Sequence, residues 1–90
     1  MKARYLEVTF RKGKPLAAYY YLPRNVGEKS AKTITAGKGI LIDYNTAGHP
    51  IGIEITAPEK INLRIVNDVL IDLRLAPIEQ NEIAPLLTAA

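Results

Sequence analysis

Gly39-Ile40-Leu41-Ile42-Asp43-Tyr44-Asn45-Thr46-Ala47-Gly48-His49-Pro50-Ile51-Gly52-Ile53-Glu54-Ile55 is the stretch that decides the fold. Ile40 to Tyr44 is a short run with apolar residues on both faces, the pattern of a strand with neighbours on each side. Asn45-Thr46-Ala47-Gly48 turns the chain. Asn favours the first position of a type I turn, and Gly48 suits the left-handed residue of the bulge that follows it. From Pro50 to Thr56 the chain returns, with Ile51, Ile53 and Ile55 alternating against Gly52, Glu54 and Thr56, the period of a strand. An antiparallel hairpin therefore anchors any fold built from this chain.

Strand signals continue upstream. Arg4 to Arg11 alternates Leu6, Val8 and Phe10 with Tyr5, Glu7, Thr9 and Arg11. Lys12-Gly13-Lys14-Pro15 reads as a turn. Leu16 to Leu22 follows, with Leu16, Ala18, Tyr20 and Leu22 on one face and Ala17, Tyr19 and Tyr21 on the other. Pro23 stops it, and a loop around Gly27 runs from Arg24 to Glu28. Lys29 to Ala36, rich in Lys, Ser and Thr, has the character of an edge strand, and Gly37-Lys38-Gly39 breaks it.

Downstream the period changes. Thr56-Ala57-Pro58-Glu59 has capping-box spacing, but Asn62 is the better N-cap, with Val66, Val69, Leu70 and Leu73 forming one apolar stripe behind it. A helix is expected over about 63–74, and a second over about 79–87, interrupted or restarted at Pro85. The expectation is one α+β domain over residues 1–90. An antiparallel β-meander of four to five strands (about 4–56) is followed by one or two C-terminal α-helices that cover one sheet face.

The 90 residues are 48% hydrophobic and 23% charged, an ordinary globular mix with no low-complexity segment or repeat. The absence of Cys excludes a disulfide scaffold, thiolate zinc and a cysteine nucleophile. No apolar run approaches about 18 residues, and no signal-peptide core precedes Arg11, so a cytoplasmic protein with no membrane partner is expected. The net charge of +3 conceals an asymmetry. Residues 1–38 hold nine Lys+Arg and two acids, and residues 39–90 hold three Lys+Arg and seven acids. An anionic partner for the first half, attraction between the halves, or lysines guarding a sheet edge would each account for it.

The hairpin is more specific than its fold requires. Its Asp43-Tyr44 strand end, its turn closing on Gly48 and its Gly52-Ile53-Glu54-Ile55 return strand resemble a mostly bacterial family catalogued as domain of unknown function 2283. The resemblance covers about residues 4–57 and extends to the closing Ala84-Pro85-Leu86. It departs at Phe10-Arg11-Lys12-Gly13-Lys14-Pro15, basic where family members carry an acidic turn, so no role of those acids transfers. The resemblance implies no activity. Because some members are encoded beside small toxin-like proteins, it implies a small protein partner.

Asp43 and Glu54, read as lying at the non-turn ends of the hairpin, are the one carboxylate pair that could do acid–base work or hold a metal. Asp beside a turn more often accepts backbone N–H groups, and Glu on a strand more often faces water. His49 has no second His to complete a zinc site. Ser30, the only Ser, has no nucleophile elbow around it. Neither Gly37-Lys38-Gly39 nor Gly13-Lys14 has phosphate-loop spacing. No catalytic residue, cofactor or metal is expected. Tyr5, Tyr19 and Tyr21 share a face if the first two strands pair in simple register, and Leu41 adds to the apolar surface. The expected function is a non-enzymatic binding module that self-associates through that face, with a dimer favoured and a protein partner in addition. The alternative is RNA or single-strand binding through the same Tyr-bearing sheet.

Overall fold

The computed structural model describes residues 4–24, 27–37 and 39–87. Asn25, Val26 and Lys38, within the expected Arg24–Glu28 loop and Gly37–Gly39 break, lie outside the described residues. Five strands, β1 (Tyr5–Arg11), β2 (Lys14–Tyr21), β3 (Lys32–Gly37), β4 (Ile40–Tyr44) and β5 (Pro50–Ile55), precede a single 3-10 turn (Pro58–Lys60) and two helices, α1 (Leu63–Asp72) and α2 (Gln80–Leu87). The fold is α+β, with an entirely antiparallel sheet in the order β1-β2-β5-β4-β3. The hairpin β1–β2 and the meander β3–β4–β5 are joined where β2 pairs with β5. The β4–β5 hairpin, with apolar residues on both faces, is thereby enclosed between neighbours. β3 falls at the edge, exposed along its whole length.

The β4–β5 turn is built as its residues dictate. Gly48 N–H donates to Asn45 O at 3.0 Å and takes φ +85°. Asn45 Oδ1 accepts from the backbone N–H groups of Ala47 (3.0 Å) and His49 (2.9 Å). Asn therefore caps the turn from inside.

One sheet face is covered. Ala18, Tyr20 and Leu22 from β2 and its end, Ile40 from β4, and Ile53 and Ile55 from β5 form one cluster with Ile61, Val66, Leu70, Ile78, Ile83 and Leu86. Each large side chain in it gains about 1.5–3 kcal/mol on burial. Leu16 departs from the expected alternation: Thr9 faces Ala17 and Phe10 faces Pro15, so Leu16 is the extra residue of a bulge on β2. Leu16 and Phe10 finish 52% and 49% exposed at the hairpin tip.

Of the two helix starts read from the sequence, Asn62 is used as a cap, while the Thr56 hydroxyl donates to Gly39 O at 3.0 Å instead of capping. Asn62 Oδ1 accepts from Ile65 N–H at 2.8 Å and caps α1, while the competing Pro58-Glu59-Lys60 stretch forms the 3-10 turn. α1 stops at Asp72 rather than residue 74 because Arg74 takes φ +61°. That turns Leu75 N–H back to Leu70 O (2.8 Å) and Arg74 N–H to Ile71 O (2.9 Å), a Schellman closure made without glycine. Asn67 then clamps the α1–α2 connection: its Nδ2 donates to Ile78 O at 3.2 Å, and its Oδ1 accepts from Ile78 N–H at 2.8 Å. α2 begins at Gln80, with Glu82 Oε1 accepting from Glu79 N–H at 2.9 Å. It runs through Pro85 without the expected interruption.

Candidate functional site

Among the described residues, no helix lies on the opposite sheet face. Cross-strand register places its residues in rows. One row reads Tyr5, Tyr21, Gly52, Asp43, Thr33. The next reads Glu7, Tyr19, Glu54, Leu41, Thr35. The three tyrosines are brought together as the simple register requires. Tyr5 and Tyr21 stack with ring centroids 4.5 Å apart and planes 17° from parallel, and Tyr19 meets Tyr21 edge-on at 4.6 Å. Tyr21 donates to Glu7 Oε1 at 3.3 Å. Tyr5, on the edge strand, is 46% exposed. Leu41 is half-buried on β4.

A polar chain crosses this face. The Tyr19 hydroxyl donates to Asp43 Oδ2 at 2.7 Å, although β5 lies between their strands. The ring spans β5 over Gly52, and a Cβ built on Gly52 would collide with the Tyr19 hydroxyl and Cζ. No side chain larger than hydrogen fits at 52 while Tyr19 holds this position. Thr33 Oγ1 donates to the other carboxylate oxygen of Asp43 at 2.6 Å. Arg24 Nη2 donates to the Tyr19 hydroxyl (3.3 Å) and to Ile51 O (2.8 Å), and its guanidinium carbon lies 5.3 Å from the Tyr21 ring centroid. Burial, then the hydrogen bond to Asp43, pushes the Tyr19 hydroxyl up to about 12. Partial burial followed by the charge of Glu7 raises Tyr21 as well.

The two acids singled out from the sequence are separated in role. Asp43 lies opposite Gly52 near the turn, and Glu54 lies opposite Leu41 at the far end. The expectation that both sit at the non-turn ends is corrected for Asp43. The displacement follows from the register, in which Tyr44 pairs with Pro50. Asp43 accepts from Tyr19 and Thr33, a structural use of both its oxygens. His49 lies on a polar pocket of about 230 Å³ with Arg24, Glu28 and Asn45, where Asn45 Nδ2 donates to Glu28 Oε2 at 2.7 Å. Ser30 Oγ contacts Lys32 O at 3.4 Å and Thr33 Oγ1 at 3.5 Å, within its own strand entry. Among the described residues, no three of His, Asp and Glu converge as a metal-ligand group.

Arg24, Thr33 and Glu7 were not singled out from the sequence. Thr33 becomes visible once β3 is registered against β4. Arg24 sits beyond a strand-ending proline, where periodicity carries no information. Comparison with protein-family models, curated proteins and solved structures finds no match.

Proposed function

We propose that this chain is a non-catalytic interaction module that self-associates through its helix-free sheet face. The observation that carries the reading is the pre-assembled Tyr5–Tyr21–Tyr19 stack on a face that none of the described helices covers. Tyr is enriched at interfaces because it offers a large contact area with few rotors. Here the rings already hold one another, so little rotamer entropy remains to be lost on association. A two-fold pairing would place one aromatic row against its copy and close the assembly at two.

Five strands about 4.8 Å apart and five to eight residues long give a face of roughly 500 Å² in projection. That is well below the roughly 800 Å² per partner of a standard interface, so the dimer is weak and reversible. The partner-binding role implied by the resemblance of the hairpin is compatible with the same surface. Nucleic acid is disfavoured there because Glu7, Asp43 and Glu54 put three carboxylates among the tyrosines, and these repel phosphates.

Tyr5→Glu tests the reading with little risk to folding, since Tyr5 is exposed on an edge strand. Concentration-dependent light scattering should show association in the wild type and its loss in the variant, with circular dichroism unchanged. Equal association in both would exclude the Tyr row as the interface.

A further inference from the structure

The remaining concentration of unused chemistry is the tip of the β1–β2 hairpin. The turn is as tight as a hairpin allows. Arg11 pairs with Lys14, and Lys12 and Gly13 form the two-residue loop with φ +54° and +79°. Positive φ at both central residues is the type I′ geometry, in which Asn-Gly is the comfortable sequence. This chain places Lys at the first of the two, in a backbone region that a long side chain rarely adopts. Lys12 thus stands against its local conformational preference, and observed strain of this kind points towards function.

Its surroundings combine cationic and apolar side chains. Arg11, Lys12 and Lys14 are all exposed, and no Asp or Glu occurs between Glu7 and Glu28. Phe10 and Leu16, 49% and 52% exposed, flank the cations. Leu16 and Pro15 line a shallow pocket of about 300 Å³ with the three basic residues. A phosphate backbone rewards the cations alone. The interface of an anionic bilayer rewards both parts, since apolar side chains enter the acyl boundary while Lys and Arg meet headgroups. We infer that the hairpin tip docks peripherally on an anionic lipid surface, with Arg11, Lys12 and Lys14 contacting headgroups and Phe10 and Leu16 inserting. No described helix is long and apolar enough to cross a membrane, and this contact requires none. The inference departs from the expectation of no membrane partner, which the lack of a spanning helix does not decide.

Co-sedimentation with vesicles tests the inference, using phosphatidylcholine alone or with about 30 mol% phosphatidylglycerol. The whole chain should bind the anionic vesicles and not the neutral ones. Lys12→Asn should weaken binding about fivefold, the value of one surface cation, while raising the urea midpoint because Asn suits the turn. That pairing of opposite effects separates docking from folding. Phe10→Ser with Leu16→Ser should abolish the binding that persists when salt screens the cations. Absence of binding to anionic vesicles at low salt, or unchanged affinity in Lys12→Asn, would overturn the inference. Binding of a single-stranded oligonucleotide without vesicle binding would reassign the tip to nucleic acid. Self-association lost in Lys12→Asn would reassign it to a second copy.

Discussion

Tyr19 occupies the space that a side chain at Gly52 would need, and this one overlap ties β2 to β4 across the strand between them. Gly52 is required for its lack of bulk, not for its backbone freedom, since the only glycines with positive φ are Gly13, Gly27, Gly37, Gly39 and Gly48 among the described residues. Gly52→Ala should therefore displace the ring, break the Asp43 contact and destabilise the fold by about 1–3 kcal/mol. In a Tyr19→Ala background most of that cost should vanish. Urea denaturation of the four proteins of the cycle measures it, and additive costs would contradict the overlap.

Asp43 is held by two hydroxyl donors, so removing the acceptor is worse than removing either donor. Asp43→Ala leaves the proton of the part-buried Tyr19 hydroxyl without its acceptor and should cost about 1–3 kcal/mol, whereas Thr33→Val should cost about 1 kcal/mol or less. Equal losses would mean that Asp43 does not organise the face.

Alkaline stability follows from Tyr19. Its folded pKa, about 12, lies above the ordinary value of 10.0, so the folded protein holds this proton more tightly. The stabilisation linked to it is complete below pH about 10 and is lost as pH rises towards about 12. Urea midpoints across that range should fall in the wild type and fall less steeply in Tyr19→Phe. A parallel decline in both would show that other groups govern the alkaline limb.

Arg74 carries a left-handed backbone at the end of α1 where glycine is the usual occupant. Arg74→Gly should raise stability, by up to about 1 kcal/mol, without changing helix content. A loss would mean that the Arg side chain makes up for its backbone strain.

The sheet was legible where periodicity and turn chemistry agree: Asn45 and Gly48 define one hairpin, and Asn62 defines the start of α1. What escaped the sequence depends on strand order. Nothing local indicates that β2 pairs with β5, and without that pairing Tyr19 cannot be placed over Gly52 or against Asp43. The grouping of Tyr5, Tyr19 and Tyr21 needed only the local β1–β2 register and was readable. The simple alternation expected for Leu16 fails because the β1–β2 register skips that residue between Thr9 and Phe10. The end of α1 was missed because Arg74 performs a turn that composition assigns to glycine.

Self-association of the helix-free face is tested most directly by sedimentation equilibrium of untagged protein from about 5 µM to about 1 mM, a range that brackets weak interfaces. The weight-average mass should climb from the 9.9 kDa of one chain towards twice that value, and Tyr5→Glu should hold it at one chain throughout. A wild-type mass that stays at 9.9 kDa over the whole range would contradict the account and leave the Tyr row without a second copy of itself as partner.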